Sequence, residues 1–179
     1  MTPSEWACEA LLEGLRRGDF SRLEPWFVRQ GQVAPPILGA LDGGCFDGHP
    51  DERAEALTCA CFLGAVEVAE RLLADGVPAA GGMMTGLNAL HWATNRGQPA
   101  TTRLLLRHGA ALEVRNMYGG TVLGGTTWSL LHEPRAAHLA IVEELLRAGA
   151  DVREADYPTG DARLDALLER FGRAHVEKP

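Results

Sequence analysis

The sequence predicts an all-α solenoid in which helix-turn-helix units stack in a row. One observation is that Leu57 and Leu90 are separated by one period of about 33 residues, and the leucine pairs that follow them keep that spacing. Another is that a glycine stands seven residues after each of these leucines, at Gly64 and Gly97. One helical hairpin cannot bury its own apolar face, so units with this period must stack to form a core.

Residues 1–34 are predicted to form an N-terminal cap. Leu11 and Leu15 belong to the apolar periodicity of a first helix, which Gly18 can end because glycine adopts a left-handed conformation without a Cβ penalty. A second helix is expected to follow. Its predicted buried face consists of Leu23, Trp26 and Phe27.

Residues 35–50 are predicted to form an enlarged loop. Gly18 and Gly64 are 46 residues apart, which is 13 more than one period, and the stretch between Gln32 and Pro50 is rich in proline and glycine. Either an enlarged loop or a short extra helix is expected around Ile37–Leu41. Long loops are often functional, and the sequence leaves function and simple drift both open here.

Two regular repeats are expected at 51–82 and 83–115. The second of them has a short first helix, and Leu105–Leu106 are predicted to be buried in its second helix. Thr101–Thr102 stand where other repeats have aliphatic residues. Either this interface is weaker, or the two hydroxyls bond back to helix carbonyls.

The fourth repeat, 116–155, contains an insertion. Its pair Leu145–Leu146 follows Leu105–Leu106 by one period plus seven residues. We place the seven extra residues within 127–136 and expect them to lengthen the connection between the two helices. Gly124–Gly125 weaken the first helix but could let another backbone approach closely.

Residues 156–179 are predicted to be a C-terminal cap helix and a tail. The helix is expected at Ala162–Phe171, with Leu164, Leu167 and Leu168 as its buried face. The last residues, 173–179, are expected to fray.

Residues 86–110 read GLNALHWATNRGQPATTRLLLRHGA. This run resembles the ankyrin repeat, in which a β-turn is followed by two antiparallel helices and the period is about 33 residues. The resemblance implies turn or hairpin connections, and it implies that His91 is structural and bonds backbone in the turn of a neighbouring repeat. Asn88 departs from the family, which usually has threonine there. The positions read as structural are Leu57, Gly64, Gly76, Leu90, His91, Gly97, Leu105, Leu106, Gly109, Leu145, Leu146 and Gly149.

The resemblance further implies recognition of a partner protein by a concave surface made of turn tips and first helices. The chain would act as an adaptor, an inhibitor or an immunity-type binder, without chemistry or cofactors of its own. Trp and Tyr are common at binding hot spots, although large rings also pack between turns. Alanine at Trp92 or Trp128 is expected to weaken binding by about 2 kcal/mol and to leave stability nearly unchanged. The candidate contact residues are Trp92, Trp128, Tyr118, Asn95, Arg115, Met83, Met84 and Tyr157.

Composition limits which cellular compartments and which classes of partner are expected. The net charge of −7 argues against nucleic acid and anionic membranes. The N-terminus lacks the apolar run of a signal peptide, so we expect a cytoplasmic protein that is monomeric when unbound. Cys8, Cys45, Cys59 and Cys61 are too sparse for a disulfide scaffold and are expected to be reduced. Only Lys178 among the 17 basic residues is lysine, which suggests a high-GC bacterial source.

Two rival functions remain open at this stage. The first is a metal-binding regulator or an enzyme that uses the 32–50 loop, with Cys45 and His49, together with the 127–136 insertion. Paired ligand spacings typical of zinc sites are missing, and His132–Glu133 is more typical of a solvated pair than of an acid/base couple. The second is a structural spacer, which would have no partner.

Overall fold

The computed structural model of the chain is a row of helical hairpins. It describes residues 3–31 and 33–176; Gln32, at which the enlarged loop was expected to begin, and the predicted cap residues 1–2 and 177–179 lie outside that part. The helices are α1 (Pro3–Arg17), α2 (Glu24–Phe27), α3 (Pro36–Asp42), α4 (Pro50–Leu63), α5 (Val66–Ala74), α6 (Ala89–Asn95), α7 (Pro99–Arg107), α8 (Val122–His132), α9 (His138–Arg147) and α10 (Ala162–Val176). Within these ranges there is no β-strand, and no helix is long and apolar enough to cross a bilayer.

The helices form two layers. The first helices of the repeats, α4, α6 and α8, pack side by side, and the second helices, α5, α7 and α9, form the other layer. α1 packs on α4 at one end of the row, and α10 packs on α9 at the other. The predicted all-α solenoid is therefore confirmed.

Local sequence signals set the helix ends. The side-chain oxygen of Asn88 accepts the His91 backbone N–H at 2.9 Å and caps α6, so it takes the place of the usual threonine. Thr121 caps α8 in the same way, accepting from the Gly124 N–H at 3.3 Å. Gly97 closes the turn after α6 with φ of +66°, which L-residues rarely adopt.

The core consists of side chains that the period aligns. Residues that are at most 1% exposed include Leu57, Leu90 and Leu123 in the first layer and Leu72, Leu105 and Leu145 in the second. The expectation for Leu106 was wrong, because it is only half-buried. Leu104 and Leu105 already fill the inner side of α7, and three consecutive residues span about 200° of a helix, so all three cannot face the core.

The structure decides between the two alternatives that the sequence left open for the threonines of the third repeat, a weaker interface or hydroxyls bonded to helix carbonyls. Thr101 and Thr102 are fully buried. Their hydroxyls donate to the Gln98 carbonyl oxygen at 3.3 Å and 2.8 Å. The hydroxyls are therefore satisfied within their own helix and bring no unpaired polar atom into the interface.

The insertion in the fourth repeat lengthens a helix as well as a connection. α8 has 11 residues where α6 has seven, so the insertion extends the helix in addition to the expected lengthening of the connection. The four added residues make about one further helical turn. Gly124 allows the close backbone approach that was expected, since a Cβ there would lie 2.9 Å from the Glu154 carbonyl oxygen.

The two caps differ in detail from their predictions. The second helix of the N-terminal cap is divided into a 3₁₀ turn, Phe20–Leu23, and the short α2. Pro25 interrupts it, because proline lacks the amide hydrogen that a continuous helix needs. Trp26 is half-buried there, whereas Phe27 is 1% exposed. In the C-terminal cap, α10 buries its three predicted leucines and continues past Phe171 to Val176.

The 35–50 segment folds back on the N-terminal cap. It contains α3 where either an enlarged loop or a short helix was expected, and Cys45 behind that helix forms a disulfide with Cys8 of α1. The expectation that all four cysteines are reduced was therefore wrong for this pair. Cysteine counting missed it because the pair is close in space, with Cα atoms 5.8 Å apart, but 37 residues apart in sequence. Cys59 and Cys61 are free and fully buried.

Reduction of the Cys8–Cys45 bond should destabilise the protein by about 2–4 kcal/mol, because a cross-link over this separation restricts the unfolded chain. Urea denaturation with and without a non-thiol reductant measures the difference. The Cys8→Ser/Cys45→Ser variant is the matched control and should match the reduced parent under both conditions. Equal midpoints for the oxidised and reduced parent would contradict the prediction.

Candidate partner-binding surface

Large apolar side chains lie exposed at the turns between successive repeats. We call Met83, Met84, Met117, Tyr118 and Tyr157 the tip row. Tyr118 is 81% exposed and Met117 64%. Met84 and Met117 are one period apart, and Tyr157 follows Met117 by the longer spacing of the enlarged repeat. The same position in three successive units thus carries an exposed apolar side chain.

Hydrogen bonds fix the shape of these tips. The Met117 backbone N–H donates to the Gly86 carbonyl oxygen at 2.9 Å, which joins two successive tips. The side-chain oxygen of Asn116 accepts from the N–H groups of Tyr118 and Gly120 at 2.9 and 3.1 Å. Exposed apolar groups on an ordered backbone lose little freedom when a partner binds.

Arg115 joins neighbouring tips. Its guanidinium donates to the Gly119 carbonyl oxygen at 2.8 Å and to Glu154 at 2.9 Å. Tyr157, in the following tip, donates its hydroxyl to Glu169 of α10 at 2.6 Å, and its ring stays 56% exposed. Arg115 therefore lies beside the tip row, and its positive charge is already paired with Glu154.

Glu55 of α4 contacts the backbone of the turn that carries Met83 and Met84. Its side chain is fully buried, and its carboxylate accepts the Met84 backbone N–H. A Cβ on Gly82 would lie 2.3 Å from the Glu55 carboxylate, so only glycine leaves room for this contact. Burial raises the pKa of Glu55, and the Met84 hydrogen bond partly opposes that shift.

Trp92 is half-buried in an aromatic cluster. Its ring lies edge-on to Phe62, with centroids 5.1 Å apart, and to Phe20 at 6.2 Å. The indole N–H donates to the Thr85 hydroxyl at 2.9 Å, and Thr85 in turn lies against Gly18. Much of this ring packs inside the chain, so the structure predicts a loss of stability on its removal, where the sequence predicted almost none.

Asn95 is the last residue of α6 and is half-buried. A Cβ on Gly125 would lie 3.4 Å from the Asn95 side-chain oxygen, so the amide faces the neighbouring helix. The Asn95 backbone oxygen accepts from His138 Nε2 at 3.1 Å, which joins α6 to α9. These contacts give Asn95 a role between repeats.

Trp128 is the exposed aromatic residue of the first-helix layer. It lies on α8, one period after Asn95, and is 54% exposed. Its ring stacks on His132, with centroids 4.5 Å apart and planes 17° apart. His132 Nδ1 donates to the Trp128 carbonyl oxygen at 2.8 Å. We call residues 129–132 the helix extension; it also carries Leu131, which is 37% exposed.

His91 is fully buried. Its Nδ1 lies 2.8 Å from the Asn88 side-chain oxygen. Burial lowers the pKa of His91, while the backbone of Gly120 and Val114 in the next turn acts in the opposite direction. The ring thus lies between its own helix cap and the neighbouring turn, away from solvent.

The residues of the rival metal or enzyme site are engaged in other contacts. Cys45 is bonded to Cys8, and the His49 ring lies 3.8 Å from Glu52. Across residues 3–31 and 33–176 there is no group of three His, Cys, Asp or Glu side chains that could hold a metal ion.

Sequence reasoning missed three residues of this surface. Met117 could have been found by applying the repeat period to Met84. Glu55 gave no signal, because an acidic residue in a helix is normally solvated. Phe62 lies one period before Asn95 and two periods before Trp128, but its contact with Trp92 depends on the fold.

Comparisons with known proteins agree with this architecture. A family model described as ankyrin repeats (three copies) matches residues 57–156, more than half of the chain. A rice protein (Oryza sativa subsp. japonica), named "Probable E3 ubiquitin-protein ligase XBOS33", is 36% identical over 100 residues. That alignment covers 54% of this chain but only 18% of the rice protein.

Alanine at Trp92 and at Trp128 should have different effects on stability. Trp92→Ala empties part of the aromatic cluster and leaves the Thr85 hydroxyl without its indole partner, so we expect a loss of about 2–4 kcal/mol. Trp128→Ala removes an exposed ring and should change stability by no more than about 0.5 kcal/mol. Urea denaturation of both variants tests this, and equal losses would contradict it.

Glu55→Gln should stabilise the protein near neutral pH. The raised pKa means that the folded chain holds this proton more tightly than the unfolded chain, so stability falls as pH rises above the ordinary value of 4.5. Glutamine keeps an oxygen for the Met84 N–H but cannot ionise.

Urea denaturation of the variant and the parent, at about pH 4 and near neutral pH, measures this effect. The advantage of Glu55→Gln should appear only at the higher pH. Glu70→Gln, at an exposed position of α5, is the control and should show no such trend. An advantage of equal size at both pH values would refute the role given to Glu55.

Proposed function

The chain belongs to the ankyrin-repeat family, whose members generally mediate protein–protein interaction, and from this we propose that it binds a partner protein through the tip row and the exposed side of α8. Binding without catalysis is typical of such repeats. Within this function we propose the role of an adaptor, an inhibitor or an immunity-type binder. Each of these roles needs only a bound partner.

The observation that carries the proposal is the recurrence of exposed apolar side chains at one repeat position, at Met84, Met117 and Tyr157. Burying such side chains against a partner is favourable by about 25 cal/mol per Å². Methionine adapts to irregular surfaces, and tyrosine is common at hot spots. Trp128 adds a second exposed anchor on the first-helix layer.

The remaining parts of the proposal follow from composition. The net charge of −7 supports a protein partner over nucleic acid or an anionic membrane. We also propose that the free chain is a monomer, that it works in the cytoplasm and that its arginine-rich composition reflects a bacterial source. The Cys8–Cys45 bond counts against the cytoplasm, where thiols keep most cysteines reduced.

Site-specific photo-crosslinking in the native host tests the binding surface. A photoreactive phenylalanine analogue replaces Tyr118 or Trp128, and the same analogue at Glu70 on the second-helix layer serves as the matched control. We expect both surface positions to capture the same protein and position 70 to capture none.

Affinity for the captured protein gives the second measurement. Trp128→Ala should weaken binding by about 2 kcal/mol with an unchanged urea midpoint. Capture only from position 70, or from none of the three positions, would contradict the proposed surface; the latter result would support a spacer.

A further inference from the structure

Two arginines of this chain differ from most of the others in having no acidic partner. Most of the other described guanidinium groups are paired, as Arg103 is with Glu144 at 2.6 Å and Arg29 with Glu67 at 2.7 Å. In the part of the chain that the structure describes, neither Arg96 nor Arg135 has a carboxylate within ion-pair distance. In a chain with a net charge of −7, two such cations close together are unexpected.

The contacts of these arginines place them together at the end of α6. The Arg96 guanidinium lies over the Phe62 ring, 4.5 Å from its centroid. Arg135 passes over the adjacent residue, since a Cβ on Gly97 would lie 2.9 Å from the Arg135 Cδ. The Arg135 backbone N–H donates to His138 Nδ1 at 3.2 Å, so the segment is held in place.

This arrangement has an electrostatic cost. Partial burial lowers the pKa of Arg96, and the charge of Arg135 lowers it further, whereas Glu133 acts in the opposite direction. Two like charges at one helix end that no ion pair neutralises destabilise the free protein. A bound anion would remove that cost.

An apolar anchor lies on the neighbouring helix. α8 packs beside α6, and it exposes Trp128, stacked on His132, together with Leu131. Trp128 keeps the regular repeat position directly before the helix extension, and Arg135 lies in the connection that follows it. The fourth repeat therefore supplies both the aromatic ring and one of the two cations.

We propose that Arg96 and Arg135 bind a side-chain carboxylate in an acidic segment of the partner protein, while Trp128 packs on an apolar residue beside it. The inference rests on the proposed function and specifies the chemistry of the partner. Guanidinium groups bind carboxylates through paired hydrogen bonds. A dense polyanion such as nucleic acid fits poorly, because Glu133 and the net charge of the chain repel its many phosphates more strongly than they repel a single carboxylate.

Selection of peptides from a random displayed library, with the full chain as bait, tests this inference. We expect the selected peptides to be enriched in Asp and Glu next to aromatic or aliphatic residues. A synthetic peptide of the selected sequence then serves as the probe in fluorescence polarisation. Its Glu→Gln version should bind at least about tenfold more weakly.

Protein variants provide the matched comparison. Arg96→Gln/Arg135→Gln should weaken binding of the acidic peptide at least about tenfold, with no loss of thermal stability. Arg22→Gln/Arg107→Gln removes the same charge from two exposed arginines that also lack an ion pair among the described residues, and it should bind like the parent.

The inference is overturned if no peptide is selected, if the peptides show no excess of acidic residues, or if the Arg96/Arg135 variant binds as tightly as the parent. Displacement of the peptide by inorganic phosphate as readily as by unlabelled peptide would also overturn it, because the site would then be a general anion site. Self-association that the same variant abolishes would assign the arginines to a second copy of the chain instead.

Failure of this inference can be told from failure of the proposed function. If a partner is still cross-linked from positions 118 and 128 in the Arg96→Gln/Arg135→Gln background, the proposed binding surface is supported. Only the proposal of an acidic partner segment is then contradicted. Loss of all cross-links in the parent rejects both.

Discussion

The structure depends on the fact that each helical hairpin has its apolar face covered only by its neighbours. α6 lies between α4 and α8, and Leu57, Leu90 and Leu123 are buried because their helices lie side by side. Full burial of one such side chain is favourable by about 1.5–3 kcal/mol, so these leucines must keep the same spacing in every repeat. The glycine turns, the caps and the enlarged repeat all leave this alignment of leucines unchanged.

The sequence predicted the repeats because their signal is periodic and local. Glycine positions and paired leucines mark where helices end and which side faces inward, and the structure agrees at Gly97 and Leu105. The prediction failed where the geometry of a single helix decides which residues are buried and where the helix ends. Leu106 follows two residues that already face the core. The added residues 129–132 prolong α8 because the first helix breaker in that segment is Pro134.

The surface was less predictable, for a physical reason. Tyr118 and Met83 are exposed because they lie in turns between repeats, and the repeat period predicts where those turns are. The burial of Trp92 depends on Phe20 and Phe62, and the disulfide of Cys8 depends on how the 35–50 segment folds back. Contacts that do not recur from one repeat to the next leave no periodic trace, so a single sequence does not reveal them.

The helix extension of α8 is nearly one complete turn, and this has a consequence for how such a chain can diversify. A whole turn continues the same face of a helix, and α9 still buries Ile141 and Val142 beyond it. The exposed side chains of this turn, Trp128 and Leu131, can therefore vary without disturbing the interior, whereas Ser129 and Leu130 of the same turn are buried and belong to the scaffold.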